Sequence, residues 1–237
     1  MMRALARRAL AAGLRLPDLA STRAFRQQAR TIDLIRALDI NIVLDVGANR
    51  GFWSRHLRQS GYSGHIVSFE PLAANAAELD AKRDARWIAQ ACALGTEEGE
   101  ADFNVVLSGP DDETVLSSFL PIRNSSARTH TERVTVKRLD SFLPLLRSLA
   151  AEQRIFLKMD TQGFDLQVIA GAGDALDHIR LLQSEISVES LYEGMPPYTE
   201  ALDTYRALGF TLQDLFVVNR TATGGILEYD ALLARPF

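Results

Sequence analysis

Four carboxylates stand at or near the ends of short apolar runs. Asp45 lies in Asn41-Ile-Val-Leu-Asp-Val46 and Glu70 closes His65-Ile-Val-Ser-Phe-Glu70. Asp160 closes Ile155-Phe-Leu-Lys-Met-Asp160, and Glu185 falls late in the run Leu181–Ser187. An acid placed in an apolar segment is costly to bury unless it meets a donor or a ligand. The available chemistry is acceptance of hydroxyl hydrogen bonds, removal of a substrate proton, or capture of a cation. Asp160 is the first candidate for a general base. Lys158, two residues earlier, points to the same face under strand alternation. It reads either as part of the catalytic set or as half of an internal ion pair with Asp160 or Glu185. Asp160 and Glu185 together form a carboxylate pair that could share the proton task or hold Mg2+, although the spacing carries no metal signature.

These residues need a scaffold that brings strand ends together. Thr22–Leu38 has apolar residues at helical spacing, and Phe52–Ser60 and Ala73–Lys82 read as further helices between strands 41–46, 65–70 and 87–91. Asp102–Leu107 and Arg133–Lys137 are candidate strands around a polar loop. Ser141–Ala151 reads as helix, 155–160 as strand, Phe164–Gly171 as helix, Leu181–Ser187 as strand and Thr199–Leu208 as helix. Phe210–Val218 and Ile226–Leu233 end the chain as a hairpin. Such alternation predicts an α/β fold with a mainly parallel, Rossmann-like sheet, helices on both faces and an antiparallel C-terminal hairpin. In open sheets of this kind ligands bind beyond the carboxyl ends of the strands, where the acids fall.

The turn Gly47-Ala48-Asn49-Arg50-Gly51 allows backbone to approach a ligand and feeds a helix N-terminus. Glu70, 25 residues after Asp45, sits where a carboxylate can accept both hydroxyls of a ribose. That placement serves nicotinamide dinucleotides and S-adenosylmethionine alike. A dinucleotide fingerprint would require glycines at 47, 49 and 52, whereas the chain has Asn49 and Phe52. A cofactor without a pyrophosphate is therefore favoured.

The segments VLDVGANRGFWS (43–54), FEP (69–71), ALG (93–95), VKRLDSF (136–142), LKMDTQGFDLQVIAGA (157–172), and SEIS with LYEG (184–194) resemble the FkbM-type family of S-adenosylmethionine-dependent methyltransferases. The matches run in order from about residue 31 to 220. The resemblance implies a class I methyltransferase sheet in a domain spanning 31–237, with residues 1–30 as a basic helical extension outside it. It implies that Asp45 and Gly47 line the methionine end of S-adenosylmethionine, that Asn49 and Gly51 complete the loop, and that Glu70 holds the ribose. Cys92 and Ala93 would flank the adenine, a small core residue being the other reading of Cys92. Gln162 and Gly163 fit a turn beside the donor methyl.

By the same resemblance the acceptor is a hydroxyl on a sugar, a glycan or a secondary metabolite. Lys158, Asp160 and Glu185 would carry the catalysis, with Mg2+ as a further expectation at Asp160 and Glu185. The alternatives are a nicotinamide-dependent oxidoreductase, which lacks its glycines and a Tyr-x-x-x-Lys pair, and a non-catalytic cofactor-binding module. Of the histidines only His130 lies in a loop able to reach the pocket. His65 and His178 belong to the opposite end of the sheet, and His56 to the first helix after the glycine turn. Glu189, Tyr192, Glu193 and Tyr198 read as a lid or acceptor loop, or else as a solvated surface loop.

The 237 residues are 47% hydrophobic and 24% charged, enough for one large core. Cys92 is the single cysteine, which excludes a disulfide scaffold and fits the cytoplasm. No apolar run reaches membrane-spanning length. Charge is uneven: residues 1–30 carry +6 and the remainder −10. An acidic body argues against nucleic acid as a partner. The arginine-rich head reads as a solvated helix, a transit-peptide-like segment, or a basic helix in peripheral contact with anionic lipid.

Overall fold

The computed structural model describes residues 20–81, 84–108, 114–123 and 127–235; most of the arginine-rich head, residues 1–19, lies outside them. A helix α1 (Ala20–Ala37) leads into strand β1 (Ile42–Val46), helix α2 (Phe52–Gln59), strand β2 (His65–Phe69), helix α3 (Ala73–Asp80) and strand β3 (Trp87–Gln90). Strands β4 (Ala93–Leu94), β5 (Gly99–Leu107) and β6 (Arg128–Lys137) follow, then helix α4 (Leu143–Leu149), strand β7 (Ile155–Met159) and helix α5 (Asp165–Ala170). Strand β8 (Ile179–Ser187), helix α6 (Tyr198–Ala207) and strands β9 (Thr211–Arg220) and β10 (Ile226–Ala234) complete the chain. The α1 helix runs unbroken through residues 30 and 31.

Seven strands form the main sheet in the order β3-β2-β1-β7-β8-β10-β9. The first five pair in parallel, and β10 is antiparallel to both β8 and β9. The predicted antiparallel hairpin therefore closes one edge of a parallel sheet. Strands β1 and β7 are buried at every position, as expected where helices cover both faces. One face packs Leu44, Val46, Leu157 and Leu182 against α4, α5 and α6. The other packs Val43, Phe156, Leu181 and Leu232 against Ile32 and Ile35 of α1 and Leu57 of α2.

A second sheet, in the order β4-β6-β5, was not foreseen as a separate unit. Its strands were legible only in part, because residues 128–133 of β6 are exposed and contain no apolar residue. Phe103, Val105 and Val134 of this sheet pack with Leu72, so it stands beside the turn that follows Glu70. Among the described residues no helix is long and apolar enough to cross a membrane.

The sheet registers produce one feature that decides the site. Ser68, Asp45, Lys158 and Gln183 lie side by side across β2, β1, β7 and β8. Strand alternation places this row two residues above the apolar layer of Val43, Phe156 and Leu181, on the side covered by α1 and α2. Two residues further on come Glu70, Gly47, Asp160 and Glu185, and Asp230 of β10 pairs with Glu185. A buried polar row thus underlies the carboxyl edge on which the acids stand.

Candidate active site

A cleft of about 670 Å³ opens at the carboxyl ends of β1, β2 and β7. Its walls grade from apolar to polar. Leu72, Ala93, Leu94 and Phe103 line one part; Asn49, Glu70, Asp160 and Gln162 line another. The segment Thr114–Phe119, from the connection between β5 and β6, supplies further wall.

Glu70 sits at the end of β2 and is 4% exposed. Its Oε2 accepts the Asn49 backbone N–H at 2.8 Å, and Oε1 accepts the Leu72 N–H at 3.1 Å and the Asn75 side chain at 3.3 Å. Burial pushes its carboxyl above the usual range, although these three donors pull it down. A carboxylate has about four acceptor sites. Three are taken, so capacity remains for a ligand hydroxyl in the cleft that Glu70 lines. Asn49, at φ 47°, also donates to Thr114 Oγ1 at 3.2 Å, and Asn75 donates to the same oxygen at 3.1 Å. Thr114 therefore ties the wall segment to both the glycine turn and α3.

The glycine turn does different work at its two ends. Gly47 lines the cleft at φ 72°, and a Cβ there would stand 2.1 Å from the Asp160 carbonyl oxygen. It is the approach of the β7 end, as much as any ligand, that requires glycine at this position. Gly51, also at φ 72°, caps α2 and is not a cleft wall.

Asp45 is fully buried below the cleft and does not line it. Lys158 Nζ lies 3.0 Å from its Oδ1, and Ser54 Oγ donates to its Oδ2 at 2.6 Å. Lys158 is itself buried, 3.5 Å from Asp160 Oδ2 and 5.6 Å from the centre of the Trp53 ring. Burial alone would lower its pKa, but Asp45 and then Asp160 more than offset this and hold the ammonium above its usual range. Lys158 is thus a fixed cation and not a proton acceptor. The sequence reading anticipated an internal ion pair with Asp160 or Glu185. The stronger partner is Asp45, because β1 and β7 are neighbours and place the two residues in register.

Asp160 remains 41% exposed at its side chain and lines the cleft. Its Oδ1 accepts the Gln162 side-chain N–H at 2.9 Å, and the same nitrogen donates to Glu185 Oε2 at 2.8 Å. Gln162 holds φ 54°, in the left-handed region, which brings its amide back between the two acids. Its Oε1 lies 2.8 Å from the Tyr192 hydroxyl. Burial, followed by the nearby Asp160, Glu228, Asp230 and Asp165 carboxylates, pushes Glu185 well above the carboxylate range. The expected Mg2+ pair is accordingly not formed: a nitrogen donor occupies the space between Asp160 and Glu185. Among the described residues no cluster of three or more His, Cys, Asp or Glu is placed to hold a metal ion.

Cys92 belongs to the core next to the cleft, and burial pushes its thiol up to about 11; Ala93 and Leu94 form the wall instead. Tyr192 is buried, whereas Glu189 and Glu193 are exposed, so the loop after β8 is part support and part surface. His130 is exposed on β6, 3.0 Å from Glu132, and does not reach the cleft. Sequence reasoning missed the aromatic side of the site. Phe119 packs between Phe103 and Phe164, with ring centres 5.0 and 4.7 Å away. These come from three distant segments, and no local spacing joins them. Asn75 was equally hidden within an alanine-rich helix.

A parallel sheet that reverses its final strand, with a buried acid after β2 and a glycine turn after β1, has the Rossmann-like architecture of class I methyltransferases. The chain belongs to the methyltransferase FkbM domain family, which matches residues 45–212. It is 26% identical over 207 residues to the 2-O-methyltransferase NoeI of Sinorhizobium fredii, covering 83% of this chain and 82% of that one. It is 24% identical over 151 residues to Methyltransferase 1 of Beauveria bassiana, covering 57% of this chain and 60% of that one. Among solved structures it is similar to 1,6-didemethyltoxoflavin-N1-methyltransferase of Burkholderia thailandensis, crystallised with S-adenosylhomocysteine. That likeness has a TM-score of 0.48 and 13% identity, and covers all of this chain and 88% of that one.

Proposed function

We propose that the protein transfers the methyl group of S-adenosylmethionine to a hydroxyl of a small polyhydroxylated acceptor, a sugar or a secondary metabolite, with Asp160 as general base. The residues fit the cofactor. The apolar part of the cleft suits a flat adenine ring, Glu70 retains acceptor capacity for a ribose hydroxyl, and the polar part near Asn49, Asp160 and Gln162 suits a charged amino-acid end. Leu72, Ala93, Leu94 and Phe103 would hold the adenine, Glu70 the ribose, and Gly47 and Asn49 the methionine end. Asp45 would act beneath them by fixing Lys158.

When bound, the cofactor supplies an electrophilic methyl whose C–S electron pair leaves with sulfur. Everything else falls to the chain. Most of the barrier reduction in such a displacement comes from alignment of the reacting atoms. An alkyl hydroxyl must also lose its proton as its oxygen forms the new C–O bond. The single observation that carries the reading is the contrast between two neighbouring acids. Asp160 lines the cleft and is anchored by Lys158 and Gln162, whereas Glu185 does not line it. The proton therefore goes to Asp160, and Glu185 and Gln162 orient it. The name of NoeI, a 2-O-methyltransferase, supports oxygen as the acceptor atom.

Incubation of the protein with methyl-labelled S-adenosylmethionine and a panel of glycosides and phenols tests this. Label should appear on an acceptor oxygen, and Asp160→Asn should abolish nearly all transfer while the cofactor dissociation constant changes less than about threefold. Binding of NAD in place of S-adenosylmethionine, or full activity of the Asn variant, would refute the assignment.

A further inference from the structure

A second cleft, with about 710 Å³ of open space, lies between α1 and α2. Gln27, Gln28 and Thr31 enter it from α1, Trp53 and His56 from α2, and Asp230 from β10 beneath them. Two lines of contact lead from it to the base. Asp230 pairs across the sheet with Glu185, which shares the Gln162 amide with Asp160. At about 4.8 Å per strand, Asp230 stands about 10 Å from Asp160. On the other side, Lys158 Nζ is 5.6 Å from the centre of the Trp53 ring and 3.5 Å from Asp160 Oδ2. A single side chain therefore separates the cleft wall from the base.

The lining has the chemistry of polyol recognition. Trp53 is half-buried against Phe156 and offers an indole surface to the opening. Gln27 donates to Asp230 at 2.5 Å, and Gln28 donates to Ser60 at 2.5 Å and to the His56 carbonyl at 3.2 Å. Both amides are thereby oriented, and no described residue donates to their carbonyl oxygens. The floor of the cleft is acidic: Asp230 lines it with Asp160 nearby, and the cation beside them, Lys158, is already engaged by Asp45. A phosphate or carboxylate arriving here would meet like charge. A sugar would bring hydroxyl donors to the carboxylate and amide oxygens, and a C–H face to the indole.

We propose that this cleft is a saccharide subsite. It holds the sugar ring adjacent to the one being methylated, with its face on Trp53 and its hydroxyls directed to Asp230 and Gln27, and it rejects acceptors bearing phosphate. The proposal rests on the reading of Asp160 as the base for hydroxyl methylation and narrows its acceptor to a neutral oligosaccharide. A separation of about 10 Å between base and floor suits a chain of two or three rings better than a lone monosaccharide.

The test is steady-state methylation by the full chain of mono- and disaccharide methyl glycosides and of their 6-phosphates, with Trp53→Leu, Trp53→Phe and Asp230→Asn variants beside the wild type. Loss of a well-placed aromatic contact or hydrogen bond corresponds to a change of up to about tenfold. The disaccharide should show a KM about tenfold below that of the monosaccharide. Trp53→Leu should remove this advantage, Trp53→Phe should keep much of it, and Asp230→Asn should raise the disaccharide KM about three- to tenfold. The cofactor dissociation constant, read by calorimetry, should stay within about twofold in all three and so report intact folding. Phosphorylated sugars should be at least about tenfold poorer. If saccharides are methylated but Trp53→Leu and Asp230→Asn leave the disaccharide KM unchanged, the subsite is overturned alone. If phosphorylated and neutral sugars are used equally, the charge argument fails. If no saccharide is methylated while a phenol is, the subsite falls and hydroxyl methylation stands. If no hydroxylated compound is methylated, both fall.

Discussion

Replacing Lys158 by Met isolates the ion pair on which the site is built. Asp45 has no exposure to solvent, and the lysine ammonium, 3.0 Å away, is its charge partner. Methionine approximates the volume of the lysine stem, so what is lost is chiefly the charge. The remaining donor to Asp45 is the Ser54 hydroxyl. Removing one member of a buried pair costs about 3–5 kcal/mol. In a domain of this size each kcal/mol corresponds to about 2–4 °C, so the melting temperature should fall by about 6–20 °C. The lysine pKa is raised in the folded state, so its contribution is complete below the unfolded value of about 10.4 and is lost only as pH rises through the folded one. The deficit should therefore be constant from about pH 7 to pH 9. Urea titration followed by circular dichroism measures it. The double variant Asp45→Asn/Lys158→Met, which leaves no charge stranded, should recover most of the loss. A single-variant deficit below about 1 kcal/mol, or a double variant no better than the single, would refute the account of Asp45 as a buried structural acid.

Glu70→Gln preserves shape but loses the charged acceptor, and should weaken S-adenosylmethionine binding about 10- to 100-fold by calorimetry; an unchanged constant would remove Glu70 from the ribose. Gly47→Ala should destabilise the fold and lower kcat beyond any loss of cofactor affinity, since its Cβ would displace the Asp160 carbonyl; an active, equally stable protein would contradict the packing seen there. Asp165 is buried, and burial pushes it up to about 6, although it accepts from Ser184 and Thr161. A raised carboxyl stabilises at low pH, so the stability that Asp165 contributes should decline by up to about 3 kcal/mol as pH rises from about 4 through 6. Asp165→Asn should flatten that part of the stability–pH curve, and an unchanged slope would show that the residue does not titrate there.

Much of the scaffold was legible because its signals are local. The runs ending at Val46, Glu70 and Asp160 are apolar and short, and Pro71, Gly61 and Gly163 punctuate them, so strands and turns could be placed without tertiary information. The acids at the cleft could be listed for the same reason. Their partners could not. Alternation shows that Lys158 and Asp160 share a face, but only the pairing of β1 with β7 reveals that Lys158 belongs to Asp45. The glycine turn was read as a seat for ligand, whereas Gly47 also answers to the Asp160 carbonyl, a contact between residues more than a hundred positions apart. The wall from Thr114 to Phe119 lies in a stretch without periodicity, and its value depends on Phe103 and Phe164 arriving from elsewhere.

The buried row across the middle of the sheet also protects the fold against misassembly. Side chains alternate faces, so β7 displaced by one residue against β1 would thrust its ammonium among the leucines packed under α4 and α5, and leave Asp45 facing a methionine or a leucine. One charge in the right place makes every wrong alignment expensive, and the same pair that steadies the base thereby keeps the central strands in step while the protein folds.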